Sequence, residues 1–349
     1  MFHLQGVFAY DVQHYLDFLL NKEKLISVEE FNSRLVSVRL SDRDSRNRPK
    51  KFKVRAKNTK YEGNAGSLRV LSRILTTILS DVLENSKTHD FFIKLHELGE
   101  IITAPSLTKY DIFYVMEDII TDYLDLRTQA TNLLQMSSPK PKHHFLSHYP
   151  QLYYENGPLI SVWAMRMESK HTYMKSVLRA AKNFKNVAYT CATRHQMALI
   201  SHQYYGLFSK SKFVLPDDAP TTKDVLCIVK DSSLKVFYSK LGSNALVLKK
   251  VKIYGTMYTC GKVVVIKNLQ HGLLKVGMIR AICFDEDVQF LVTSYIARQS
   301  RFGYYVTTEV VSKDESIAYL SLCDYYPLDV TGVSGCYTFS LHHFIRSSI

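Results

Sequence analysis

Apolar residues recur at helical spacing through the first part of the chain, as in Leu68, Leu71, Ile74, Leu75, Ile78 and Val82, and again in Ile112, Val115, Ile119, Ile120 and Tyr123. Side chains three and four positions apart share one face of a helix, so this period predicts several amphipathic helices before about residue 210. After Lys212 the pattern changes. Runs rich in Val, Ile, Tyr and Thr (Val263 to Ile266, Gly277 to Phe284, Val288 to Tyr295, Tyr304 to Val310) are punctuated by Gly and Asp and read as strands. Six to eight short strands are expected, closing a small SH3-like β-barrel. Between the two patterns, Leu215-Pro216-Asp217-Asp218-Ala219-Pro220 carries two prolines and two acids, the composition of a linker. The expected organisation is therefore α+β: a helical region over 1–212, a linker over 213–220 and a small barrel over 221–349.

Length and composition agree with a folded protein. A chain of 349 residues, 46% hydrophobic and 22% charged, can bury a core in two domains. The six cysteines are scattered, with no CxxC pair and no Cys/His quartet at zinc spacing, so buried free thiols in a reducing compartment are expected. No apolar run is long enough to span a bilayer and residues 1–10 have no basic leader followed by an apolar core. A soluble intracellular protein, nuclear or cytoplasmic and without a membrane partner, is the expectation.

Charge narrows the choice of partner. The formal net charge is +13, which favours a polyanion through counterion release. Arg43 to Lys60 holds nine cations (Arg43, Arg46, Arg48, Lys50, Lys51, Lys53, Arg55, Lys57, Lys60) against the single acid Asp44, a local charge of +8. On a loop, such cations neutralise phosphates without reading sequence, while a solvated arm or a localisation signal has the same composition. A second basic set, Arg166, Lys170, Lys175, Arg179, Lys182 and Lys185, lies on the segment around Glu168. The prolines of Ser137-Ser138-Pro139-Lys140-Pro141-Lys142-His143-His144 delay the next helix until about Lys142.

From Pro141 the chain reads Pro-Lys-His-His-Phe-Leu-Ser-His-Tyr-Pro, then Gly157-Pro158-Leu159, Trp163-Ala164-Met165-Arg166-Met167-Glu168-Ser169-Lys170-His171, Asn183-Phe184-Lys185-Asn186 and His195-Gln196. These motifs, in this order, resemble those of animal CACTA (EnSpm)-type DDE transposases. Asp11-Val12-Gln13-His14 resembles the family's D-x-x-H motif, and Gly63-Asn64-Ala65 its "GNA" segment. The resemblance covers the helical region. It is weaker beyond, at Tyr254 to Tyr258 and Asp324 to Leu328. It implies a remnant of an RNase H-like core with its insertion, a metal-ligand role for Glu168, and catalytic-core positions for Asp11 and His14.

Strand cleavage of this class uses two divalent ions held by carboxylates, and Mg²⁺ prefers such hard oxygen ligands. Leu159 to Lys182 contains no Pro or Gly, so a helix is expected, with Glu168, His171 and Lys175 on one face. A solvated surface of mixed charges satisfies the same spacing. The first two aspartates of the implied triad belong on strands ahead of the D-x-x-H motif, and Asp11 stands close to the first residue given. One glutamate cannot hold two Mg²⁺ ions, so catalysis is expected to be incomplete unless a partner chain supplies the missing acids. DNA contact is assigned to Arg46, Arg48, Lys50, Lys51, Lys53, Arg55, Lys142, His143, Arg166, Lys170, His171, Lys175 and Lys185. For His143, packing is the alternative. Self-association or a chromatin protein is the other class of partner, with the chain as a structural or interaction module. Tyr254, Tyr258, Tyr304, Tyr305, Tyr325 and Tyr326 form either a platform or barrel packing, and no site is assigned there.

Overall fold

The structure is a computed structural model. It describes residues 6–345 except 39, 41, 56–57, 61–62, 85, 87, 134–137, 163, 183–184, 205–212, 216–218, 255, 270–271, 302, 329, 334–335, 342 and 344; the side chains of 42–43, 53–55, 58–60, 133, 164–169, 213–214, 331–333 and 336 also lie outside it.

Helices form where the apolar period predicts them. The longer ones are α1 (Val7–Asp17), α2 (Val28–Ser37), α3 (Ala65–Ile78), α4 (His89–Ile102), α5 (Met116–Leu133), α6 (Tyr149–Asn156), α7 (Ala164–Ala181) and α8 (Val187–Tyr204). Ser27 opens α2 by accepting from the Glu30 N–H, and Asn64 opens α3 by accepting from the Ser67 N–H. The α3 stripe ends at Leu79, and Val82 continues it in a separate turn, Ser80–Leu83. A single core gathers Phe8, Leu16, Phe31, Leu71, Phe92 and Tyr123 from α1 through α5.

The segment Arg43 to Lys60, expected as a loop, is instead fastened to the helices. Phe52 is buried edge-on to Phe31, and Asn32 brackets it by donating to its carbonyl (3.0 Å) and accepting from its N–H (2.8 Å). Asp44 is bound by Arg73 at 2.5 Å. Gly66 lets the segment approach: a Cβ there would stand 2.5 Å from Asn47 Oδ1. The segment closes as a two-stranded ribbon, β1 (Lys53–Arg55) with β2 (Asn58–Lys60).

The C-terminal region is a curled antiparallel half-barrel. Its strands are β4 (Leu246–Leu248), β5 (Lys250–Ile253), β6 (Thr256–Thr259), β7 (Val263–Asn268), β8 (Leu273–Asp285), β9 (Asp287–Gln299), β10 (Tyr305–Ala318), β11 (Asp324–Leu328), β12 (Thr331–Val333) and β13 (Cys336–Phe339). The main sheet runs β11-β7-β8-β9-β10-β13-β12, with β4 also on β8. Three strands are longer than the runs that announced them. Register shifts interrupt the pairing, as between Val310 and Ser312 of β10 opposite β9 where the expected run stopped, and bend a strand without ending it. Two helices, α9 (Thr222–Leu226) and α10 (Ser232–Ser239), were not expected in this region; Thr221 and Asp231 cap them. Helix α10 packs Phe237 and Tyr238 on Ala281, Cys283 and Leu291.

The expected linker is built into the C-terminal region at its described ends, partly through a second, three-stranded sheet of β3 (Phe213–Val214), β5 and β6. Strand β3 pairs with β5, and Leu215 and Ala219 pack on the barrel core. Proline and acid content marked a connection but could not exclude pairing on either side of it. The thiols differ from expectation as well: Cys283 is buried, whereas Cys227, Cys260 and Cys323 are exposed.

The two regions touch. Tyr304 packs against the helical core, Arg301 pairs with Glu84 at 2.5 Å, and the Thr77 and Ser340 hydroxyls are 3.1 Å apart. Gly303 lies over His96 with φ +82°, where a Cβ would meet the imidazole at 2.8 Å. His96 is fully buried, its Nδ1 2.9 Å from the Ser72 carbonyl and its Nε2 3.4 Å from Glu100. Burial opposes the charged imidazole, but Glu100 and the Ser72 carbonyl outweigh it and raise its pKa.

Candidate nucleic-acid interface

The D-x-x-H and Pro-Lys-His-His motifs meet in the core. Asp11 on α1 is fully buried, accepts from Tyr123 Oη and pairs with Arg127 Nε at 3.1 Å, both from α5. His143 reaches the same carboxylate from the turn Pro141–His144, with Nε2 3.3 Å from Asp11 Oδ2. Its Nδ1 accepts from the Lys140 N–H at 2.9 Å, which assigns the ring proton to Nε2, facing Asp11. Burial and the Asp11 charge push the Tyr123 phenol well above its ordinary value. Arg127 also donates to Thr131 at 2.8 Å.

This arrangement fastens three segments together. A carboxylate surrounded by a guanidinium, a phenol and an imidazole, all out of reach of solvent, has the surroundings of an internal anchor. It has no open side for a metal or a phosphate. His14 is half-buried, edge-on to Tyr10 at 4.5 Å, and burial lowers its pKa. Lys142 donates to the Gly6 carbonyl at 3.1 Å, and Lys140 stands 4.0 Å from the Tyr10 ring centre. Burial, followed by the Lys140 charge, lowers the Lys142 pKa. The catalytic position implied for Asp11, and the phosphate contact assigned to His143, thus fall on fully buried residues, and the position implied for His14 on a half-buried one; the packing alternative for His143 agrees with its burial.

Arg127 was missed in the sequence. Its signal was present, since Arg127 continues the stripe of Ile112, Ile119, Ile120 and Tyr123 toward Ala130, and a cation on an apolar stripe calls for a buried acid.

The basic segment divides. Arg46, Lys50 and Lys51 are exposed. Arg48 is half-buried and donates to the Val36 and Val38 carbonyls at 3.2 and 2.9 Å, closing the end of α2. The side chains of Lys53 and Arg55 lie outside the described residues.

Helices α7 and α8 form a hairpin held by Lys170 Nζ against His195 Nε2 at 3.3 Å and by Tyr173 Oη on the Arg194 carbonyl at 3.4 Å. Lys170, His171, Lys175, Arg179, Lys182 and Lys185 are all exposed. His171, Lys175 and Arg179 line the side of α7 turned away from α8. The helix expected around Glu168 is present, but the side chains of Arg166 and Glu168 lie outside the described residues, so the implied metal ligand has no described surroundings. Among the described residues no group of three His, Cys, Asp or Glu side chains converges to hold a metal ion. Residues 159–204 hold seven Lys and Arg against one acid, so this hairpin and Arg43 to Lys60 carry +6 and +8 of the net +13 and the rest of the chain is near neutral.

The tyrosines at the sheet end pack inward for the most part. Tyr258 is buried and donates to the Tyr325 carbonyl at 2.5 Å, and Tyr305 stacks on Phe339 at 5.7 Å. Tyr254 and Tyr325 remain exposed beside Tyr319. Among the described residues, no helix is long and apolar enough to cross a membrane.

Comparison with protein-family models, with curated proteins and with solved structures finds no match for this chain.

Proposed function

We propose that this protein binds nucleic acid through its phosphates, without sequence readout, using exposed cations and hydrogen-bond donors of two separate surfaces: Arg46, Lys50 and Lys51 on the segment ahead of β1, and Lys175, Arg179 and Lys185 with the His171 ring on the α7–α8 hairpin. The observation that carries this is the segregation of charge. Nearly the whole formal excess sits in two stretches whose described cations are mostly exposed, while the remainder of the chain is close to neutral. A charge excess needed only for solubility has no reason to concentrate so.

On this reading the chain derives from a CACTA-type transposase, its helices an RNase H-like remnant with insertion and its half-barrel SH3-like, and it acts in the nucleus as a binding protein. Support comes from the motif order and from the buried state of Asp11, which leaves that carboxylate to hold the fold. Mg²⁺ chemistry would need acids from another chain beside Glu168.

Fluorescence anisotropy of a labelled DNA duplex across a salt series tests the proposal. Affinity falls steeply with salt, and replacing Arg46, Lys50 and Lys51 by Ser lowers the slope by roughly one per lost phosphate contact. Weak, salt-independent binding that ignores these substitutions would defeat the reading and leave a protein-interaction module in its place.

A further inference from the structure

Helix α8 carries a second, apolar surface that the charge reading does not use. Tyr189, Met197, Ile200 and Tyr204 are 68, 63, 62 and 83% exposed. At 100° per residue these four and Thr193 fall within about 80° of one another, the narrow seam by which helices pair and not the wider stripe that faces a globular core. Arg194 and His195 meet α7, so the seam faces the opposite way. No described side chain of α7 or α8 is buried. A pair of helices that buries nothing gains little from packing in the monomer.

We infer that the seam of α8 pairs with the same seam of a second copy of this chain, antiparallel, about a two-fold axis near Met197. The spacing is self-complementary. Tyr189 stands eight positions before Met197 and Tyr204 seven after it; Thr193 stands four before and Ile200 three after. Reversing one helix therefore sets Tyr189 against Tyr204, Met197 against Met197 and Ile200 against Thr193, each within one residue, as an isologous contact requires. The charge distribution favours a second copy over an acidic or anionic occupant. The positions beside the seam (Thr190, Gln196, Ser201, Gln203) are uncharged and Arg194 is the single cation near it, so an acidic helix would find little charge to meet, and two antiparallel copies set Arg194 near neutral residues of the other. The cations His171, Lys175 and Arg179 lie on the far side of α7 and would face outward from both copies.

The area sets the strength. Four side chains of this size, each covering on the order of 100–200 Å², give roughly 1,000 Å² over both copies, the lower limit of specific interfaces. Contacts at that limit belong to weak, transient associations, so the dimer is expected only at high protein concentration.

Sedimentation equilibrium of the nuclease-treated full chain, at high salt and over about 1–200 µM, is the experiment. High salt removes any bridging polyanion and leaves an apolar seam intact, so failure here is separable from failure of nucleic-acid binding. The expected result is a reversible monomer–dimer equilibrium, weakened at least tenfold by Ile200→Glu with circular dichroism and thermal midpoint unchanged. Thr193→Glu and Ile200→Lys chains, each monomeric alone, form a heterodimer when mixed, because the antiparallel register sets these positions face to face. A chain that stays monomeric throughout, a dimer indifferent to Ile200→Glu, or a mixture that fails to pair overturns the inference.

Discussion

In the helices between Val7 and Asn156, apolar stripes are buried against one another and even the charged residues Asp11 and Arg127 are fully enclosed. In the hairpin of α7 and α8, no described side chain is buried, and Lys170 and Tyr173 of α7 meet Arg194 and His195 of α8 through exposed or half-buried polar contacts. Both stretches carry the motifs that resemble a transposase. Asp11 and His143 belong to those motifs and hold three segments together, whereas Lys170 and His171 belong to them and are exposed. A motif residue's chemistry is therefore set by its surroundings, and polar residue type alone does not separate an anchor from a contact.

The sharpest way to test this contrast is to remove the anchor. Asp11→Ala leaves the Arg127 guanidinium enclosed without its carboxylate, and breaking a buried ion pair in this manner costs about 3–5 kcal/mol. Urea denaturation should move to a much lower midpoint, or the chain should fail to fold. Asp11→Asn keeps the shape and some hydrogen bonds, and is expected to be less harmful. An unchanged midpoint for both variants would erase the distinction between the two regions.

A second test acts on the contact between helices and sheet. Gly303 adopts φ +82° with no room for a Cβ beside His96. Gly303→Val meets both obstacles and should cost about 2–3 kcal/mol, read as a lower thermal midpoint.

A smaller effect follows from His96 itself. Its folded pKa is raised above the ordinary 6.5, so its protonated form stabilises the folded state. That contribution is fully present below about pH 6.5 and is lost as pH rises through the folded value. The thermal midpoint should therefore fall on raising the pH from mildly acidic to mildly alkaline, and His96→Gln should flatten this dependence. A midpoint that rises over the same range through His96 would reverse the assigned sign.

The helices were legible because their apolar period is strong, and the change to strands near residue 212 was legible from composition. The long strand β10 was read short because a register shift between Val310 and Ser312 interrupts its pairing while the strand itself continues. Thr221 and Asp231 cap α9 and α10, but these helices are too short for a clear period. At the site, the charge clusters could be read directly. The Asp11–Arg127–His143 assembly could not, since its members are 116 and 132 positions from Asp11 and only the fold brings them together. The one local sign was Arg127 on an apolar stripe.

The smallest expected effect on stability is also the one that bears most directly on function. Lys175 and Arg179 are exposed on the outward side of α7, Arg179 in its last turn, and loss of such exposed cations changes stability by no more than about 1 kcal/mol. The double variant Lys175→Ser, Arg179→Ser should therefore unfold with the unaltered chain. Its duplex affinity should nonetheless decline at low salt, with the salt slope shallower by about two if both side chains meet phosphates. The two readouts separate the alternatives: a purely solvated helix face leaves both unchanged, a structural role moves the midpoint, and a phosphate-binding face moves the slope alone. That last pattern, set beside the collapse expected for Asp11→Ala, would establish that the two stretches divide between them the holding of the fold and the meeting of a partner.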